Sequence, residues 1–142
     1  MKRSASAVWR GDLKSGRGTI STESTVLKDT QYSFGTRFEN GPGTNPEELI
    51  GAAHAGCYSM AFSAELGKAG FKTEQITTTA TVNFENHPQT GWTVTKIHLD
   101  CIAKIPGIDV AKFAAIADGA KKGCPISRLL AAAEITLDAK LV

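Results

Sequence analysis

Cys57, Cys101 and Cys124 are the only cysteines among the 142 residues, and thiol chemistry is the first possibility they raise. The thiolate, not the thiol, is the nucleophile and the metal ligand, so what matters is which sulfur has surroundings that ionise it. Cys57 sits in GAAHAGCYSMAFSAEL, where helical offsets of four and seven put Ile50, Ala53, Ala61 and Ala64 on its face. That face is small and apolar, and apolar surroundings suppress a thiolate, so spacing alone reads Cys57 as an inert core thiol. Cys124 lies between a helix-ending Gly123 and Pro125, which suits a first helical position. As an N-cap it would face free amides and the positive end of a helix dipole, which makes it the more acidic thiol on physical grounds. A cysteine merely tolerated at a turn would look the same. Cys101 is in phase with Ile97, Leu99 and Ala103 and reads as an apolar space-filler without a redox role.

Other chemistry has weaker support. His54 and Cys57 are one helical turn apart, but no CxxC pair or second ligand pair completes a metal site, so no metal and no bound cofactor is expected. His54, His87 and His98 read as ordinary helix, turn and strand residues. Glu47 and Glu48 complement a helix dipole from a first turn, Arg37 reads as a solvated strand residue, and Arg17 lies in a plain SGRG turn. No phosphate loop, nucleophile elbow or metalloprotease helix is present.

The elements that must position these residues can be read from pattern. Short extended stretches around Ala5 to Trp9, Arg17 to Ser21 and Gln31 to Phe38 suggest a strand meander. After the ENGPGTN loop, Asn45 caps a helix, Pro46 fits its first position and Glu48 closes an Asn-x-x-Glu box. This helix should run to about Leu66, with Gly67 as its stop. Alternation from Ile76 to Phe84 predicts a strand, with a hairpin partner from Trp92 to Ala103. Asp109 should cap a helix whose stripe is Val110, Phe113, Ala117 and Ala120, followed by a short helical segment from Pro125. Ile135, Leu137, Ala139 and Leu141 alternate in a closing strand. The order predicts one continuous α+β domain, residues 1–142, with antiparallel sheet against helices. The long helix would leave apolar surface uncovered in a monomer, and pairing of two chains would cover it.

Composition narrows the partners. Sixteen Lys and Arg against fourteen Asp and Glu make no strong field, which argues against nucleic acid or an anionic membrane surface. The start, MKRSASAVWRGD, lacks the apolar run of a secretory signal, and nothing later is apolar for long enough to span a bilayer. A cytoplasmic setting is therefore expected, where odd thiols are buried, metal-bound or redox-active. A small neutral substrate fits this balance.

FGTRFENGPGTNPEELIGAAHAGCYSMAFSAEL combined with KKGCPIS resembles the osmotically inducible, organic-hydroperoxide-resistance (OsmC/Ohr) family, in its osmotically inducible branch. WRGDLKSGRGTISTES near the start and AEITLDAKL near the end extend the resemblance over essentially the whole chain. It implies antiparallel sheets around long central helices in an intertwined homodimer. It also implies a thiol peroxidase in which Cys57 attacks the hydroperoxide and Cys124 resolves the sulfenic acid as a disulfide, reversing the order suggested by acidity. The family's activating Arg and Glu match Arg37 and Glu47, with Arg17 and Glu48 as second choices. The expected partners are an organic hydroperoxide and an external dithiol reductant, such as a lipoylated protein. Glu47 and Cys57 are ten residues apart, about 15 Å along a straight helix. Either the helix bends near Gly51 or Gly56, or Arg37 and Glu47 reach the thiol of a partner chain. A thioesterase-like enzyme with Glu47 or Glu48 as base, and a non-catalytic protein for a hydrophobic ligand, are the rival readings; neither requires thiol turnover.

Overall fold

The computed structural model describes all 142 residues, which divide into two compact units, Met1–Leu49 and Ile50–Val142. In the first, β1 (Ala5–Arg10), β2 (Arg17–Thr22) and β3 (Thr30–Ser33) form an antiparallel meander in that order. Gly18 of β2 is held by its neighbours: a Cβ there would come within 2.3 Å of the Tyr32 ring and 2.8 Å of the Trp9 ring. The stretch read as a single strand from Gln31 to Phe38 changes character at Ser33, and α1 (Phe34–Phe38) follows. The reason is local chemistry. The Ser33 side chain accepts from the Thr36 amide and the Thr36 hydroxyl accepts from the Ser33 amide, a reciprocal capping box that ends the strand and starts a turn of helix. Arg37 is therefore a last-turn helical residue, not a strand residue.

The long helix α2 (Pro46–Lys68) starts where the sequence predicts. Asn45 Oδ1 accepts from the Glu48 amide at 2.8 Å, but the Glu48 carboxylate accepts from the Thr44 hydroxyl instead of closing the expected box. At the other end Gly67 does not stop the helix. The reversal falls at Gly70, whose φ of +85° is the left-handed cap, while the Phe71 amide reaches back to the Leu66 carbonyl at 2.9 Å.

The second unit carries a three-stranded sheet in the order β4 (Gln75–His87), β5 (Gly91–Lys104), β6 (Glu134–Leu141). The β4–β5 hairpin is antiparallel, as expected, with a bulge between Asn83 and Phe84. The closing strand departs from the expectation and pairs parallel to β5, with Lys96 opposite Glu134 and Ala103 opposite Leu141. The chain between them, α3 (Val110–Gly123) and α4 (Pro125–Leu129), is long enough to return β6 in the same direction.

Tyr58, Phe62 and Leu66 of α2 pack with Leu99, Cys101 and Ala103 of β5 and with Phe113, Ala117 and Ala120 of α3. Phe62 meets Phe113 edge-on with ring centroids 5.5 Å apart. Val110, assigned to the α3 stripe, is exposed, because the buried face begins only at Phe113. On α2 the buried face is Gly51, His54, Tyr58, Phe62 and Leu66, one residue round from the small-residue stripe around Cys57. Larger side chains exclude more apolar surface from water, so they claim the core. Gly51 permits the close approach: a Cβ there would lie 3.2 Å from the Ala80 carbonyl oxygen of β4.

Candidate active site

Rotation of the α2 core face leaves Cys57 half-buried at its edge, whereas Cys124 has no exposed surface. Cys57 projects from the middle of α2, and Cys124 forms the corner between α3 and α4, where its amide bonds the Ala120 carbonyl at 2.8 Å. The two sulfurs are 3.0 Å apart as free thiols. Disulfide sulfurs lie about 2.05 Å apart, so roughly 1 Å of approach would join them.

The pair shares a proton unequally. Burial pushes the Cys57 thiol up, and its hydrogen bond with Cys124 pushes the same way; the Ile126 amide and the charge of Arg128 oppose this only in part. Cys124 is held below the ordinary thiol value. Burial opposes its ionisation, but the Cys57 thiol, the Ser127 amide and hydroxyl, and the Ile126 amide together outweigh that cost. The S–H···S contact has Cys124 as donor to Cys57 when the charge rests on Cys57. The amides at the start of α4 favour the opposite placement, so in this chain alone Cys124 is the more acidic partner, as its sequence position suggests. Cys124 makes no side-chain cap hydrogen bond of ordinary geometry, because sulfur accepts weakly and at long range.

Two residues given no role by sequence reasoning adjoin this pair. His54, one turn before Cys57, is fully buried, and its Nε2 lies 2.8 Å from the Ser127 hydroxyl. Burial holds the imidazole below the ordinary histidine range. The signal was present as the spacing of Gly51, His54, Tyr58, Phe62 and Leu66, which competes with the alanine stripe and wins by side-chain size. Ser127 stands three residues after an N-cap, the position from which a side chain can reach back to the cap. Cys101 is buried under Tyr58 and raised by desolvation, consistent with a filler role.

The first unit holds a different cluster. Arg37 Nη2 lies 2.7 Å from Glu47 Oε1, and Arg37 Nε reaches both carboxylate oxygens at 3.2 Å, a bidentate pair with Glu47 largely buried. The guanidinium lies 5.5 Å from the Phe38 ring centroid. A cavity of about 280 Å³ beside it is lined by Trp9, Leu13, Tyr32, Phe34, Phe38 and Pro46, apart from Arg37 an almost wholly apolar wall. Arg17 instead lies on β2 opposite Arg10 and Ser33, and Glu48 is engaged with Thr44. The apolar residues expected to line the thiol are less enclosing than their spacing suggested: Ile50 and Ala61 are half-buried, and Ala53 and Ala64 are exposed. No helix is long and apolar enough to cross a membrane.

Comparison with known proteins places this arrangement. The sequence profile described as OsmC-like protein matches residues 39–140. The chain is 54% identical over 135 residues to the peroxiredoxin OsmC of Escherichia coli strain K12, covering 95% of this chain and 93% of that protein, and is equally similar to the peroxiredoxin OsmC of Shigella flexneri. Among solved structures, an OsmC-like protein of unknown function from Vibrio cholerae superposes with a TM-score of 0.78 at 17% identity, over 98% of this chain and 99% of that one. An organic hydroperoxide resistance protein from Elizabethkingia anophelis superposes with a TM-score of 0.75 at 21% identity, over 100% of this chain and 99% of that one. At those identities the structural matches speak for the fold.

Proposed function

This chain belongs to the family of OsmC-like proteins, and from that membership we propose that it is a thiol peroxidase reducing organic hydroperoxides to alcohols at Cys57. The observation that carries the reading is the pair of free thiols 3.0 Å apart, one half-buried and one fully enclosed. Acidity alone would nominate Cys124 as attacker, but a thiolate without exposed surface offers no route for a peroxide. Exposure favours Cys57 for attack and Cys124 for resolution.

The thiolate of Cys57 attacks the distal peroxide oxygen, the O–O bond breaks, and the alkoxide leaves and takes a proton as the alcohol. Cys57 is then a sulfenic acid. Cys124 displaces its hydroxyl as water and forms the Cys57–Cys124 disulfide, which an external dithiol, such as a lipoylated protein, reopens by exchange. A thioesterase or a simple binding protein has no use for this pair.

Within its own unit the cation acting on Cys57 is Arg128, and the thiol remains above its ordinary value. A stronger cation is needed. Helix α2 runs from Pro46 to Lys68, so Glu47 and Cys57 lie about 15 Å apart along its axis. In this proposal the chain is a homodimer, and the Arg37–Glu47 pair of one copy serves the thiol of the other, as the second of the two sequence alternatives holds. Glu47 fixes the guanidinium in plane, and Arg37 favours the thiolate and orients the peroxide. The apolar cavity beside Arg37 suits an alkyl or aryl tail, which favours organic hydroperoxides over hydrogen peroxide. The reaction calls for no metal or bound cofactor, and a reducing cytoplasm would supply the dithiol.

A steady-state assay of an organic hydroperoxide against hydrogen peroxide, with several dithiol donors, tests the proposal. Faster turnover of the organic peroxide is expected, and absence of peroxide-dependent thiol loss overturns it.

A further inference from the structure

A Cys57–Cys124 disulfide can be opened at either sulfur, and the two sulfurs are not equally reachable. Cys124 is 0% exposed and belongs to the core cluster that includes Tyr58, Phe113, Ala117 and Ala120. Its backbone is held on both sides: the amide donates to the Ala120 carbonyl at 2.8 Å, and the carbonyl accepts from the Arg128 amide at 3.1 Å. Cys124 therefore cannot turn outward without breaking the corner between α3 and α4. Cys57 is half-buried and packs at the edge of the same core, with its sulfur 3.0 Å from that of Cys124.

The course of thiol–disulfide exchange depends on access, on which sulfur is attacked and on how well the other one leaves. The incoming thiolate approaches in line with the bond that breaks, from the side away from the leaving sulfur. For attack on Cys57 the leaving sulfur lies inward, so the line of approach comes from the half-exposed side. For attack on Cys124 that line runs through packed side chains, and a close-packed interior has no void for an incoming thiol. Acidity points the same way. Cys124 is the thiol held below its ordinary value, and a more acidic thiol leaves faster.

We propose that the external dithiol attacks the Cys57 sulfur of the oxidised protein and expels Cys124, so that the mixed disulfide of the reductive half-reaction is carried on Cys57. This rests on the thiol peroxidase reading. In the first step a reductant sulfur bonds to Cys57 Sγ, the Cys57–Cys124 bond breaks, and its electron pair leaves on Cys124, which takes up a proton. In the second step the other reductant thiolate attacks the reductant's own sulfur in the mixed disulfide. A cyclic disulfide closes and Cys57 departs as the thiolate, so the dithiol is oxidised and the protein regains both thiols. Because Cys124 stays beside Cys57 after it is expelled, it can close the bridge again. A second thiol on the same reductant competes with that return by closing a ring, whereas a monothiol has no such step. One half-open sulfur thus serves both half-reactions: it meets the hydroperoxide when reduced and the dithiol when oxidised.

The test is the position of the first adduct. Wild-type protein is oxidised in two ways, with stoichiometric tert-butyl hydroperoxide and with diamide, which forms the bridge without peroxide chemistry. Each sample is mixed with excess β-mercaptoethanol, quenched rapidly in acid so that Cys124 is protonated before it returns, digested with pepsin at low pH and mapped by mass. The mercaptoethanol adduct is expected on the Cys57 peptide, exceeding any on the Cys124 peptide by about tenfold or more. In the native reduced protein, N-ethylmaleimide should alkylate Cys57 ahead of Cys124, although Cys124 is the more acidic thiol. Equal adducts, an excess on Cys124, or alkylation of Cys124 first would show that the α3–α4 corner opens and would overturn the inference. Should diamide form the bridge and the hydroperoxide not, the peroxidase reading fails, while the diamide-oxidised sample still reports which sulfur is attacked.

Discussion

The Arg37–Glu47 cluster and the Cys57–Cys124 cluster are assembled from opposite materials. The first is charged and partly open, with the Arg37 side chain 37% exposed, and its ions satisfy one another in a bidentate pair. The second is a pair of sulfurs in an apolar shell, with a neutral histidine and amides for company. Each lacks what the other has: the ion pair holds a strong cation and no nucleophile, while the thiol pair holds two nucleophiles and leaves the reachable one poorly ionised. A surface charge near water is worth little to stability, whereas the same charge beside a partly desolvated sulfur can control its ionisation. The contrast assigns different duties to the two clusters, and mutation of each should fail in a different way.

The sharpest break is at the sulfurs. Cys57→Ser should reduce peroxide turnover to background, while Cys124→Ser should complete one stoichiometric oxidation and then accumulate sulfenic acid, measured with a sulfenic-acid trap. The opposite pattern would mean that the acidity of Cys124 outweighs its burial. Peptide mapping after one equivalent of peroxide should find a Cys57–Cys124 bridge within one chain and a free Cys101; a bridge to Cys101 would remove the pair from the mechanism.

Next in size is the cation. Arg37→Ala removes a positive charge whose proximity commonly lowers a pKa by about 1–3 units. With the sign followed through, the thiol of Cys57 rises, its thiolate fraction at neutral pH falls, and the rate profile moves to higher pH. Stopped-flow oxidation near neutral pH should slow about 10- to 1,000-fold and recover in alkali, with Glu47→Gln milder because the charge remains. Wild-type rates in Arg37→Ala would pass the role to Arg17.

Mixing tests whether the two clusters meet across copies. Equal amounts of Arg37→Ala and Cys57→Ser chains, exchanged to equilibrium, should regain about a quarter of wild-type activity, since half the twofold dimers would be mixed and each would hold one complete site. No recovery, or a monomeric mass by light scattering with full activity, would place both clusters at work within one chain.

The smallest effect concerns stability. His54 is buried neutral, and its folded pKa lies below the ordinary value of 6.5. The unfolded state therefore binds the proton first as pH falls. The stability gained from the neutral ring is fully present above about pH 6.5 and is lost below it. Denaturant midpoints should drop between about pH 7.5 and pH 5, and His54→Phe should flatten that slope.

Much of this was readable in the chain. The Asn45 cap, the Ile76–Phe84 alternation, the Asp109 cap and the Cys124-Pro125 helix start all depend on residues within one turn or one strand of each other, and each element appears where predicted. The misreadings share a cause. Ser33 ends β3 because its partner Thr36 can close a box that competes with strand pairing, and β6 runs parallel because α3 and α4 return the chain before it pairs. Alternation cannot distinguish those outcomes, since period two is the same in either strand direction.

The sequence by itself determined which thiols exist, which sits at a helix start, and which family motifs carry them. Only tertiary packing decided how far each sulfur is exposed. That depended on which of two overlapping α2 stripes turned inward, a competition won by Tyr58, Phe62 and Leu66 over alanines because they remove more apolar surface from water. The same rotation buried His54 against Ser127, seventy-three residues away, and brought Cys57 beside Cys124, sixty-seven residues away. Helical periodicity names the members of each face, but only the volume of the side chains packed against it selects the face that is buried.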